Sequence, residues 1–236
     1  EIYLEIVYSF EPSLKQYRNL LNWLKQLPKQ QIVRDDKNFY ANLNYNDEHL
    51  ASPDFNDSAW KRARVPAKWE ESGILNFDGV VWYRTRFKVP AAFLGKELTL
   101  HLGPVDDMDA TFVNGQKIGE IMEERRWKEE RNYTIPENLV DRSENVIAVR
   151  VVDNRGGGGI YTTGSIYISD NSGNSFELDT LWKYKPTAQI LNNRIYFFTE
   201  DLTYYMRPKS TIPINQHTPT FLYNGMINPL VPYTIK

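Results

Sequence analysis

The central part of this sequence predicts an antiparallel β-sandwich, and three observations predict it. Residues 80–89 and 98–102 alternate their side chains with period two, the signature of a strand. Asn114-Gly115 follows another such run, and Asn-Gly is a strong short hairpin signal because both positions accept positive φ. From Trp60 to Lys185 short strand-like runs alternate with turn residues, which argues for stacked antiparallel sheets and against a parallel layer.

The elements follow in order. Leu14, Tyr17, Leu20, Leu21, Leu24 and Leu27 recur at helical steps between Pro12 and Pro28, so residues 13–27 predict an amphipathic helix docked on a neighbouring domain. Residues 29–59 are rich in Asn, Asp and Ser and read as loop. In the next run Val81, Tyr83, Thr85, Phe87 and Val89 share one face. Trp82, Arg84, Arg86 and Lys88 share the other, which is unusually basic. Leu98, Leu100 and Leu102 oppose Thr99 and His101. Residues 145–153 form an apolar strand, and residues 165–169 and 175–178 are short strands joined by an Asn-Ser-Gly-Asn turn. Residues 186–222 lose this order, and residues 218–236 turn apolar again. The expected division is 1–50, helix and linker; 51–185, the β domain; and 186–236, a linker and the start of a further segment.

Bulk composition excludes several classes of function. With 28 basic against 30 acidic residues the chain has no electrostatic reason to seek nucleic acid or an anionic membrane. No apolar run approaches the roughly 18 residues of a membrane span. Cysteine is absent, which removes disulfides and thiolate metal sites. The sequence opens without Met and stops on an apolar run, so a segment of a longer protein is expected.

Three groups of residues stand out as candidate sites. Asp106, Asp107 and Asp109 lie within four positions, and carboxylates that close repel unless water, a cation or sugar hydroxyls separate them. They read either as a sugar or Ca²⁺ contact or as a solvated loop with one Asp capping a turn. Trp82 beside Arg84 reads either as a flat plate for a sugar ring or as a Trp packed under Arg stems. Trp127, within Arg125-Arg126-Trp127-Lys128, reads as a solvated basic loop or a partner contact.

Residues 55–60 (Phe-Asn-Asp-Ser-Ala-Trp), Val65-Pro66, Trp69, residues 77–84 and residues 102–115 together resemble the jelly-roll, galactose-binding-like insert of the sialate O-acetylesterase family. Residues 145–153, Gly156 to Gly159 and residues 182–185 continue the resemblance, and residues 219–230 are similar to the point where such esterases re-enter their catalytic domain. A looser version of the pattern resembles the sugar-binding domain of family 2 glycoside hydrolases. The esterase resemblance implies an acyl-transfer enzyme with an SGNH-type catalytic domain in the same parent, acting on acetylated sugars in a secreted or periplasmic setting. It implies a continuation Trp-Tyr-Gln-Gly-Glu after Lys236, whereas a barrel sequence there would imply the glycosidase.

The family's Gly-Asp-Ser and Asp-x-x-His blocks are missing from this sequence. Ser58 has no Gly before Asp57 and reads as a turn residue; His49, His101 and His217 have Asn46, Leu98 and Ile214 three positions earlier. No catalytic residue is therefore assigned, and this segment alone is expected to be inactive. The four glycines match no dinucleotide fingerprint, since no helix follows them. By resemblance Asp153 and the loop with Gly157 and Gly158 line the edge of the esterase site; the plain reading is a tight structural loop.

Overall fold

The computed structural model describes residues 29–32, 36–74, 77–191 and 193–198. The helix expected over residues 13–27 and the segment 199–236, with Asn224, lie outside the described residues.

The described chain is mainly antiparallel β. Its strands are β1 (Lys29–Gln31), β2 (Lys61–Arg64), β3 (Ala67–Lys68), β4 (Gly79–Lys88), β5 (Leu98–Asp106), β6 (Met108–Val113) and β7 (Gln116–Ile121). They continue with β8 (Glu130–Ile135), β9 (Glu144–Asp153), β10 (Gly159–Ile160), β11 (Tyr167–Asp170), β12 (Ser175–Glu177), β13 (Leu181–Leu191) and β14 (Arg194–Phe197). The larger sheet runs β1-β14-β13-β4-β9-β6-β7, with β2 also on β13; the smaller runs β12-β11-β5-β10-β3, with β8 also on β5. The two sheets form the sandwich that the alternation predicts.

Between the sheets lies one core, built from Val81, Tyr83, Val149, Val151 and Trp182 of the larger sheet and Leu98, Leu100, Leu102 and Ile168 of the smaller. A second core lies on the opposite face of the larger sheet. There Tyr40, Leu43, Leu50 and Trp60 cover Val80, Trp82, Met108, Phe112 and Val152. This second layer explains why β9 is buried at every position after its first. A strand apolar on both faces is covered on both faces.

Several expectations are corrected by this second core. The segment read as loop over residues 29–59 contains β1, the edge strand of the larger sheet, and a short helix α1 (Phe39–Asn42) and a 3-10 turn at Glu48–Ala51 that belong to the lid over that sheet. Order also persists past residue 185: β13 continues to Leu191 and turns back through β14, which pairs with it from Ala188↔Phe197 to Leu191↔Arg194. The predicted hairpin stands where Asn-Gly places it, with Asn114 at φ 48° and Gly115 at φ 84° joining β6 to β7 through the pair Val113↔Gln116. No helix among the described residues is long and apolar enough to cross a membrane.

Candidate functional site

Trp82 and Arg84 do not form an open sugar-binding face. Trp82 is 0% exposed, and its indole N–H donates to Asp47 Oδ2 at 2.7 Å. Arg84 is 1% exposed; its Nε donates to Asp57 Oδ2 at 3.0 Å, Nη2 donates to the Ser52 carbonyl at 3.1 Å, and Nη1 donates to the Leu50 carbonyl. Lys183 joins Asp57 from β13 at 2.6 Å. Burial alone would raise the Asp57 carboxyl, but the bonds from Lys183 and Arg84 hold it below the usual carboxylate range. The basic face expected of β4 therefore exists only at its far end, where Arg86 and Lys88 are exposed. The reason is long-range: Asp47 and Asp57 bring counter-charges across from the lid, and no local periodicity reveals them.

Asp109 also leaves the expected cluster. It is 0% exposed and pairs with Arg131 Nε at 2.9 Å, while Thr111 Oγ1 and the Tyr133 hydroxyl donate to it. Arg131 carries further bonds to the carbonyls of Asp107 (2.8 Å), Arg126 (2.6 Å) and Glu129 (2.6 Å), so one guanidinium ties the loop before β8 to the turn between β5 and β6. Arg131 was not singled out by sequence reading, although a signal was there. In β8 Arg131, Tyr133 and Ile135 alternate with polar residues, so the arginine lies on the buried face.

The other carboxylates are drawn together. Asp106 ends β5, Asp107 follows it across a cis peptide, and Asp153 ends β9; one carboxylate oxygen from each lies within 4.8 Å of the others. Sequence alone does not join them. The topology does: Asp153 pairs with Gly79 at one end of the larger sheet, and Asp106 pairs with Gly159 in the smaller. Asp153 Oδ1 accepts the Arg155 amide at 3.0 Å, whereas Asp153 Oδ2 and Asp107 Oδ1 are buried without a partner. Burial, reinforced by Asp78, Asp106 and Asp107, pushes the Asp153 carboxyl up to about 8 against the pull of the Arg155 amide. Burial and then Asp107 push Asp106 up to about 6, and burial raises Asp107.

The glycine loop, whose Gly159 pairs with Asp106, is a packed structure. The Trp69 amide donates to the Gly158 carbonyl at 2.9 Å, and Gly159 sits at φ 122°. A Cβ on Gly158 would lie 2.2 Å from the Trp69 ring, which is itself fully buried. A Cβ on Gly157 would meet Lys68 Nζ at 3.5 Å and the Glu70 carboxylate at 3.6 Å, so the loop sets those two side chains at the edge of the cluster. Gly158→Ala should lower stability by about 1–3 kcal/mol, the usual penalty of overpacking. Urea unfolding checks this, and a change under about 0.5 kcal/mol would mean the loop yields.

Two further places carry a serine hydroxyl. Ser58 is exposed, and its amide is bound by Asn56 Oδ1 at 3.0 Å, so it is a turn residue. On the outer face of the smaller sheet His101 bonds to Ser169 Oγ at 2.9 Å and to Asn132 Oδ1 at 2.7 Å and stacks on Tyr167 at 4.3 Å. Hydroxyl, imidazole and amide thus meet in a line. All three sit inside paired strands, where β5 bonds to both β8 and β11 and backbone amides are committed to the ladder. Among the described residues no carboxylate bonds to the imidazole. A polar cleft of about 380 Å³ lies elsewhere, beside Tyr45, His49, Lys117 and Glu120, but Arg150 covers the Tyr45 ring at 3.8 Å. Trp127 is exposed, with Lys128 Nζ 4.5 Å from its ring centre, as expected of a basic loop with one aromatic.

Residues 45–157 match the family described as beta-galactosidase second all-beta domain. No curated protein matches the chain. Among solved structures the chain is similar to a beta-glucuronidase from Bacteroides uniformis, at 18% identity and a TM-score of 0.41, covering 67% of this chain and 18% of that one. It is also similar to a glycosyl hydrolase family 2 member from Bacteroides cellulosilyticus, at 20% identity and a TM-score of 0.41, covering 58% of this chain and 18% of that one. The chain thus spans less than a fifth of the length of either protein. The family match supports the looser of the two resemblances, to the family 2 sugar-binding domain, and lends none to the esterase.

Proposed function

We propose that this chain is a carbohydrate-binding-like β module of the family 2 glycosidase type, an accessory to a catalytic domain in the same parent protein. The observation that carries this reading is the match of residues 45–157 to the second all-beta domain of beta-galactosidases. The geometry agrees with an accessory role. The described residues bring no nucleophile, base and carboxylate together, while half-buried Asp106 sits at the rim of a carboxylate cluster beside Lys68 and Glu70. Carboxylates and a lysine ammonium are strong partners for sugar hydroxyls. An exported setting, secreted or periplasmic, suits such a module.

Calorimetric titration of the 236-residue chain with β-galactosides, and with O-acetylated sialosides as the competing class, tests the reading. Saturable binding of a β-galactoside, weakened in Asp106→Asn, is the expected result. Binding confined to the acetylated sialoside would favour the esterase parent, and no binding to either class would remove the sugar-binding role. Hydrolysis of p-nitrophenyl acetate should not exceed the buffer rate. Turnover above it that disappears in Ser169→Ala would make the line of Ser169, His101 and Asn132 an active site after all.

A further inference from the structure

Buried aspartates elsewhere in this protein show how the fold ordinarily treats them. Asp47 has Arg150 at 3.0 Å, Asp57 has Arg84 at 3.0 Å and Lys183 at 2.6 Å, Asp109 has Arg131 at 2.9 Å, and Asp170 has Lys96 at 2.8 Å. Asp107 and Asp153 break this rule. Both are buried, at 8% and 0% exposed, and neither has a salt bridge among the described residues. Arg131, which lies near Asp107, spends its donors on Asp109 and on three carbonyls. Two buried carboxylate oxygens, Asp107 Oδ1 and Asp153 Oδ2, are left with no hydrogen-bond donor. A buried carboxylate with no donor is too costly to stay ionised alone, so this arrangement is met by a proton or by a positive partner.

We propose that Asp106, Asp107 and Asp153 hold a divalent cation, and that the ion is Ca²⁺. The carboxylate oxygens lie within 4.8 Å of one another. An ion with ligand bonds of about 2.3–2.6 Å, as Ca²⁺ has, reaches across such a group, and Ca²⁺ accepts several carboxylates in an irregular shell, whereas Mg²⁺ demands a near-ideal octahedron and keeps most of its water. Two adjacent carboxylates at the end of β5 and one at the end of β9 supply hard oxygen ligands, and Ca²⁺ fills the rest of its shell with water and carbonyl oxygens. Asp109, adjacent in sequence, takes no part because Arg131 already neutralises it. The ion would cross-link the ends of β5 and β9, one from each sheet. This inference does not depend on the sugar-binding reading.

The test uses the full 236-residue chain, stripped of metal with a chelator and titrated with CaCl₂ and, separately, MgCl₂. Ca²⁺ should bind one per chain, more tightly than Mg²⁺, and should raise Tm above its value in EDTA. Asp153→Asn and Asp106→Asn should each weaken Ca²⁺ binding by more than about tenfold, since even the loss of a ligand's supporting partner weakens binding by about 10–100-fold. Circular dichroism identifies variants that stay folded. Absence of saturable Ca²⁺ binding by the parent chain, or equal binding by both folded variants, overturns the proposal. Glycan titration of the metal-free chain separates the two functions: saturable sugar binding by a chain that shows no saturable binding in the CaCl₂ titration rejects the cation alone.

Discussion

Arg131→Ala is expected to lower folding stability by about 3–5 kcal/mol, the range measured when one partner of a buried ion pair is removed. The expectation rests on what is stranded. Asp109 and Arg131 are both 0% exposed, and without the guanidinium the Asp109 carboxylate keeps only the Thr111 and Tyr133 hydroxyls in a site closed to water. The carbonyls of Asp107, Arg126 and Glu129 lose a donor at the same time. Arg131→Lys should recover little, because an ammonium cannot reproduce the fork that reaches all four acceptors. Arg131→Met combined with Asp109→Leu should recover most of the loss, since paired apolar replacements remove the charge that was stranded. Urea unfolding at neutral pH measures all three. A loss under about 1 kcal/mol in Arg131→Ala would place this pair with exposed salt bridges, contrary to its burial.

Much of the fold is legible where physics acts locally. Asn114-Gly115 dictates a left-handed turn, and the run from Asn145 to Asp153 is too apolar for any place but a covered central strand. Residues 171–174 turn because Asp170 Oδ1 takes the amides of Ser172 and Asn174. The sequence misleads where the deciding partner is distant. Alternation along β4 implies one wet face only if a single layer covers the sheet, and the lid around Tyr40, Leu50 and Trp60 supplies a second layer. Trp82 and Arg84 are therefore internal, held by Asp47 and Asp57 from 35 and 27 residues away. Pro186 likewise suggests that the strand stops, yet β13 accommodates it with a register shift between Pro186 and Ala188 and continues. The candidate site divides in the same way. The adjacency of Asp106 and Asp107 is plain in the sequence, whereas the arrival of Asp153 depends on two sheets converging at their ends.

In EDTA the protein should lose stability as pH rises from about 5 to about 8, opposite to the usual behaviour of paired carboxylates. Asp153 is pushed from its ordinary 3.8 up to about 8, and Asp106 up to about 6, by burial first and neighbouring carboxylates next. A carboxyl raised in the folded state keeps its proton there after the unfolded chain has released it. Its stabilising contribution is complete below about pH 4 and disappears as pH climbs through the folded value, at up to about 1.4 kcal/mol per pH unit for one group. Asp78, Asp106 and Asp107 press on Asp153 in this sense; Lys68, Arg131 and Arg155 oppose the same effect at Asp106 and Asp107. Asp57, held low by Lys183 and Arg84, acts with the opposite sign and weakens the fold only at more acid pH. Asp153→Asn removes the largest contributor, so its Tm in EDTA should vary much less between about pH 5 and pH 8 and should exceed the parent's at the alkaline end. Ca²⁺ should flatten the parent's profile too, because a bound cation neutralises the carboxylates that the proton otherwise neutralises. Thermal unfolding across this range, with EDTA and with CaCl₂, gives four curves. A parent curve in EDTA that is flat or rising, and that Asp153→Asn leaves unchanged, would show that these carboxylates are solvated and do not repel one another in the folded chain.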